Sequence, residues 1–136
     1  MSLFDFFKFK PKEPMVMVVD DDLMLMEMYE AFMEGLNCRV VKVMDSRTTV
    51  AMAEEMQPDL IVLDIMMPNI TGLQILTMLK AKPSTKQIPV IMITGEQSTG
   101  HVETAFQLGA ADYIVKPVNR ITFEQKVKPL IKTGKC

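Results

Sequence analysis

The chain has 136 residues, 49% of them apolar and 24% charged, with a formal net charge of -2. That length suits one domain with a single sizeable core, and the near-neutral balance gives no support to a nucleic-acid surface. No apolar run approaches the roughly 18 residues of a membrane span and no signal peptide is visible, while the two distant cysteines, Cys38 and Cys136, match no metal spacing and read as free thiols in a reducing, cytoplasmic setting.

Residues 1–14 stand apart as an N-terminal tail. Leu3, Phe4, Phe6, Phe7 and Phe9 alternate with Asp5, Lys8 and Lys10, and Pro11 and Pro14 close the segment. Its aromatics either pack on the domain or fray. The sharper alternative is a short docking or membrane-surface segment. Met15-Val16-Met17-Val18-Val19 reads as a first strand and ends in Asp20-Asp21-Asp22. A helix near 22–36 follows, with Leu25, Met28, Tyr29, Phe32 and Leu36 as its apolar stripe and Glu27, Glu30 and Glu34 on the solvated side. Asp22 suits the cap of that helix. The second strand, about 38–44, mixes Arg39 and Lys42 into its valines, as an edge strand does. Helix two, about 46–56, begins at Asp45-Ser46 and stops before Pro58.

Leu60-Ile61-Val62-Leu63-Asp64 comes next: four apolar residues run straight into a carboxylate. Polar alternation is absent, which predicts a strand buried on both faces, as parallel strands are. Pro68 and Gly72 impose an irregular turn after it. The third helix spans about Gly72 to Ala81 and is ended by Pro83. Pro89 opens a fourth strand, Val90-Ile91-Met92-Ile93, which ends in Thr94-Gly95. Helix four, about 98–109, shows Val102, Ala105, Phe106 and Leu108. The fifth strand, 112–115, ends in Lys116-Pro117. The last helix starts near Asn119 and shows Ile121, Phe123 and Val127, and Pro129 should end or kink it. The 14 methionines read as core filler.

Five strand–helix units predict an α/β protein with parallel strands whose carboxyl ends share one edge. Ligands bind at that edge in open sheets. The polar residues closing the strands would converge there. For a lone Asp the ordinary reading is a turn residue or helix cap. Polar closure of several strands by carboxylates, a hydroxyl and an ammonium argues for a site instead. Asp20, Asp21 and Asp64 repel one another, and a hard divalent cation with oxygen ligands relieves this; Mg2+ suits best, with Mn2+ able to take its place. Lys116 and the Thr94 hydroxyl could hold a phosphoryl group, and a carboxylate near the metal can be its nucleophile.

The motifs Val18-Val19-Asp20-Asp21-Asp22, Leu63-Asp64-Ile65-Met66-Met67-Pro68, Gly72, Ile93-Thr94-Gly95, Gly109-Ala110-Ala111-Asp112-Tyr113 and Val115-Lys116-Pro117 stand in order. Together they make the sequence resemble the receiver domain of two-component response regulators, a single-domain chemotaxis-type receiver, over residues 15 to about 128. The resemblance implies a flavodoxin-like (βα)5 doubly wound sandwich with a five-stranded parallel sheet in order 2-1-3-4-5. Helices one and five would lie on one face and helices two, three and four on the other. It implies phosphorylation of Asp64 by a histidine kinase or phosphotransfer protein. Asp21 would ligate Mg2+ directly and Asp20 through water, and the Met66 backbone carbonyl would supply a further ligand. Thr94 and Lys116 would contact the phosphoryl oxygens. Tyr113 would change rotamer on activation and remodel the face of helix four, strand five and helix five for a protein effector. The Lys116–Pro117 bond would be cis. Met66 and Glu96 would influence phosphoryl lifetime. His101 reads as a solvated surface residue rather than a phosphohistidine relay.

The expected boundaries are a tail at 1–14, a receiver at 15–133 and a C-terminal tail at 134–136. Such a chain is a switch, not an enzyme; it catalyses only its own phosphorylation and dephosphorylation. It would be cytoplasmic, and a monomer or weak phosphorylation-dependent dimer. Met1 and the untag-like tail favour a stand-alone receiver over a module cut from a longer response regulator or hybrid kinase. A haloacid-dehalogenase-type phosphatase needs a second Asp two residues beyond the nucleophile, where Met66 stands. A flavin carrier needs a phosphate loop where Asp20-Asp21-Asp22 would repel phosphate.

Overall fold

The structure is a computed structural model and describes residues 13–95 and 99–131. The tails at 1–12 and 132–136, and with them the Phe-rich segment and Cys136, lie outside the described residues, as does Glu96. Five strands form one parallel sheet: β1 Met15–Val19, β2 Arg39–Val43, β3 Leu60–Asp64, β4 Val90–Thr94 and β5 Asp112–Val115. Their order is β2-β1-β3-β4-β5, with β3 at the centre. Every residue of β3 and β4 is buried, which is why both read as unbroken apolar runs. β2, on the edge, leaves Arg39 and Lys42 exposed.

The helices are α1 Leu23–Met33, α2 Thr49–Met56, α3 Gly72–Ala81, α4 Thr99–Gln107 and α5 Arg120–Ile131. Two cores result, one on each side of the sheet. On one side α1 and α5 cover Val16, Val18, Val62 and Ile93 with Met26, Tyr29, Phe123 and Val127. On the other, α2, α3 and α4 cover Met17, Ile61, Leu63 and Met92 with Ala53, Ile75, Leu76 and Ala105. The ladders run past the strand ends. Asp20 N–H bonds the Val43 carbonyl at 3.1 Å, Ile65 N–H the Ile93 carbonyl at 3.0 Å, and Lys116 N–H the Thr94 carbonyl at 2.8 Å. These bonds bring the residues that close four strands to one edge.

The helix ends follow local chemistry. Asp22 caps α1 by accepting the Leu25 N–H at 3.1 Å. Thr71 and Gln74 form a capping box at the start of α3. Gly109 closes α4 with φ +104°, in the left-handed region.

Several expectations need correction. The predicted stripe of α1 faces the core, with Tyr29 buried and Leu25, Met28, Phe32 and Leu36 packed against it, but Met26 and Met33 are buried more deeply than those four. Tyr29 stacks on Phe123 of α5 at 5.8 Å and Phe32 meets the same ring at 5.6 Å. Of the apolar residues of the last two helices, Ile121 is 71% and Phe106 45% exposed. α5 does not stop at Pro129 but continues to Ile131. The carbonyl that Pro129 cannot serve belongs to Gln125, an exposed residue that water can reach, while Ile131 remains in the core. Methionine is filler at 17, 26, 33 and 92, yet Met24 is 81% and Met66 61% exposed.

Candidate functional site: an acidic cleft at the carboxyl ends of the strands

Asp20 follows β1, Asp64 ends β3 and Thr94 ends β4, and each is buried; Asp21 is exposed. One carboxylate oxygen from each of Asp20, Asp21 and Asp64 can be chosen so that all three lie within 4.8 Å of one another. Asp64 is held from two sides. Its Oδ1 accepts the Met66 N–H at 3.2 Å, and its Oδ2 accepts from Lys116 Nζ at 3.3 Å. Asp20 Oδ1 accepts the Asp22 N–H at 2.9 Å, but its Oδ2 is buried with no partner. The Thr94 hydroxyl donates to the Gly95 carbonyl at 3.3 Å. Lys116 is joined to Pro117 by a cis bond.

The loop from Asp64 to Gly72 forms one wall. Gly72 N–H bonds the Ile65 carbonyl at 2.9 Å, and Ser46 Oγ donates to the Pro68 carbonyl at 3.0 Å. Asn69 adopts φ 70°, a left-handed conformation that Asn tolerates better than most residues. A Cβ at Gly72 would collide with the Asp64 carbonyl oxygen and stand 2.7 Å from Ile65 Cα. Only glycine lets α3 start against the end of β3. Beside Asp21 the cleft widens into a cavity of about 120 Å3 between residues 44–47 and 67–69, room for a few waters. The Ser46 brace had no signal in the sequence. Gly72 had one as a motif residue, without its steric reason.

The electrostatics are those of a crowded acidic pocket. Burial pushes the Asp20 carboxyl up to about 6; the Asp22 N–H opposes this, and the Asp64 charge adds to it. Burial also raises Asp64, against the lowering effects of Lys116 and of the Met66 N–H. The Tyr29 hydroxyl is buried without a partner, and its pKa is raised by burial first and then by the charge of Asp20. Three carboxylates face one ammonium, and an unpaired Asp20 oxygen is buried among them. That donor set fits a hard divalent cation.

The sign of the pH dependence follows. The folded state raises both carboxyls above their unfolded values, so it holds protons that the unfolded chain has released. Their contribution to metal-free stability is full below the ordinary carboxylate range and is lost as pH rises through about 6 for Asp20. Denaturant midpoints measured without metal should therefore fall between about pH 4 and about pH 7 on account of these groups. Asp20→Asn should flatten that slope; a variant with an unchanged slope would show that Asp20 does not govern it.

Tyr113 lies apart from the carboxylates, half-buried on β5. Its ring meets Phe106 edge-on at 5.6 Å and 87°, with Lys126 Nζ 5.0 Å from the ring centroid. His101 is half-buried rather than fully solvated, and its Nδ1 is buried without a partner. Met66, 61% exposed, puts a thioether where a phosphatase of the haloacid dehalogenase type needs a carboxylate.

A doubly wound parallel sheet with an acidic cleft at the carboxyl ends of its central strands defines a flavodoxin-like α/β protein built to take a ligand at that edge. Within that class the match is specific. Residues 16–128 fit the response regulator receiver domain family, and the chain belongs to it, the signalling switches of two-component systems. It is 33% identical over 117 residues to response regulator PleD of Caulobacter vibrioides, covering 86% of this chain and 26% of PleD. It is 32% identical over 102 residues to the DNA-binding response regulator MtrA of Mycobacterium tuberculosis, covering 75% of this chain and 43% of MtrA. The chain thus spans less than half the length of these relatives. Among solved structures, the chemotaxis response regulator CheY4 of Vibrio cholerae superposes with a TM-score of 0.80 at 25% identity, over 88% of this chain and 99% of that one. The receiver domain of sensor histidine kinase PA1611 from Pseudomonas aeruginosa superposes with a TM-score of 0.79 at 26% identity, over 88% and 98%; that structure holds a magnesium ion coordinated in its active-site cleft. No helix among the described residues is long and apolar enough to cross a membrane.

Proposed function

We propose that Asp64 is the phosphoacceptor of a signalling switch. The observation that carries this reading is the buried Asp64 carboxylate, clamped by Lys116 and the Met66 N–H and faced by Asp20 and Asp21. An Asp64 oxygen attacks the phosphorus of a phosphohistidine on a histidine kinase or phosphotransfer protein. The P–N bond breaks, its electron pair stays with the imidazole, and an aspartyl phosphate remains. Asp20, Asp21, Asp64 and the Met66 backbone carbonyl would hold Mg2+, or Mn2+ in its place, which when bound offsets the charge of the phosphoryl oxygens. Lys116 holds one of those oxygens. Thr94 turns its hydroxyl from the Gly95 carbonyl toward another, a charge-assisted hydrogen bond. The space it leaves admits Tyr113, and the face of α4, β5 and α5 changes shape for a protein effector.

The unit that performs this is the receiver at residues 15–133, acting alone or within a longer regulator. It turns over no foreign substrate beyond its phosphodonor. It works in the cytoplasm as a monomer or as a weak dimer formed on phosphorylation. Incubation with Mg2+ and a small acyl phosphate, followed by intact mass and peptide mapping, tests the reading. One phosphoryl group on Asp64 is expected; an unchanged mass, or phosphate on His101 or Asp20, overturns it.

Thr94→Ala separates chemistry from signalling. The variant keeps Asp64, Lys116 and the acidic cluster, so it should still be phosphorylated. It lacks the hydroxyl that reports the phosphate to Tyr113, so effector affinity should rise less on phosphorylation than in wild type. An equal rise in the two proteins, measured by titrating a phosphorylation-dependent partner, would exclude the Thr94–Tyr113 coupling.

A further inference from the structure

Tyr113 is gripped by groups from three elements. Phe106 of α4 meets its ring edge-on. Asp112, its neighbour on β5, accepts the Tyr113 backbone N–H through Oδ1 at 2.8 Å. Lys126, on the second turn of α5, places its Nζ 5.0 Å from the Tyr113 ring centroid and 3.0 Å from the same Asp112 Oδ1. Asp112 thus anchors both the backbone that carries the ring and the ammonium that lies over it. The Lys126 and Asp112 side chains are 30% and 33% exposed, partly shielded from water.

We propose that Lys126 is a latch that holds the half-buried Tyr113 ring in its observed position against Phe106 in the unphosphorylated protein and so sets the resting bias of the switch. The proposal rests on the Thr94–Tyr113 reading above and adds to it the residue that opposes the inward turn. A switch is biased only by contacts that differ between its two states. The Lys126–Asp112 pair is anchored on backbone and helix, so it survives when the ring turns inward. The ammonium–ring contact does not, nor does the edge contact with Phe106. Lys126 therefore stabilises the observed ring position selectively. Lys128, one half-turn further along α5, is 58% exposed, lies 4.0 Å from Glu124 and does not share these contacts.

The test reads the rotamer itself. Three-bond couplings in the isotope-labelled full chain give the Tyr113 χ1 populations at rest with Mg2+ and again with a beryllium fluoride phosphoryl mimic. Lys126→Met keeps an apolar stem and removes the charge. It should raise the resting ratio of the inward rotamer to the observed one by roughly two- to fivefold, the scale of one partly exposed cation–π contact, since the Lys126–Asp112 pair is common to both states. Lys126→Arg, which keeps a cation over the ring, should return the ratio toward wild type, and Lys128→Met should leave it there. Resting populations in Lys126→Met equal to those of wild type would overturn the latch. Failure of the underlying switch looks different: the wild-type ring would then ignore beryllium fluoride, while the resting comparison would still decide what Lys126 does.

Discussion

Asp64→Asn should take up no measurable phosphoryl group, a loss of at least about a thousandfold in rate. The amide is nearly isosteric with the carboxylate, but its oxygen carries no charge and its nitrogen lone pair is delocalised. Neither atom is a competent nucleophile toward phosphorus. Loss of folding would not explain this result. Asp64 is buried, and burial raises its pKa against the pull of Lys116, so the charged form is the strained one. Neutralising it also removes one of three mutually repelling carboxylates. The variant without metal should thus melt no lower than wild type at neutral pH, while its mass stays unchanged after exposure to an acyl phosphate. A variant that is phosphorylated at the wild-type rate would place the acceptor elsewhere. A variant that is unfolded would mean that the Lys116–Asp64 contact at 3.3 Å contributes more to the fold than the burial of the charge takes away.

Gly72→Ala should destabilise the protein by about 3 kcal/mol, the upper part of the range for forcing a methyl group into filled space. Helix propensity alone predicts the opposite sign, since alanine is favoured over glycine in a helix by about 1 kcal/mol. The clash decides. The added Cβ meets the Asp64 carbonyl oxygen, and stands 2.7 Å from Ile65 Cα and 2.9 Å from the Asp64 carbonyl carbon. All three are backbone atoms at the end of the central strand and cannot swing aside. α3 has to move, and with it the Asp64–Gly72 wall of the cleft, so phosphorylation should slow as well. Gly35→Ala is the control. Nothing lies within 4 Å of a Cβ there, so urea denaturation should show little or no loss. Equal midpoints for Gly72→Ala and wild type would show that α3 can shift freely and that the glycine is not a steric requirement.

Much of the protein was legible in the chain because parallel strands carry a local code. A strand covered on both faces has to be apolar throughout, and β3 and β4 are. Where each run stops at a carboxylate, hydroxyl or lysine, the stop marks the carboxyl edge of the sheet. The convergence of Asp20, Asp64, Thr94 and Lys116 follows from that geometry. Strand order is different. It came through the family resemblance, because nothing in an apolar run says which neighbour it pairs with.

Tertiary contacts decided the rest. Asp20, Asp21 and Asp22 are one residue type in a row, yet the first is buried with an unpaired oxygen, the second is exposed at the cleft, and the third caps α1. Their separate roles come from where the chain leaves the sheet and turns into the helix. Met26 and Met33 join Tyr29 in the buried arc of α1 because that helix packs on the sheet and on α5 together, where Phe123, far along the chain, meets Tyr29 and Phe32. Ile121 is apolar yet stays 71% exposed, while Phe123 two residues on is buried against Tyr29 and Phe32 of α1. Gly72 looks like any helix-breaking glycine until Asp64 and Ile65 are placed against it. Lys116 meets Asp64 across 52 residues of sequence, and Lys126 reaches Asp112 across 14. Hydrophobic periodicity reports which residues leave water, since that depends on each element's own face. It does not report which charge or ring waits on the other side, because that is set only when distant segments pack together.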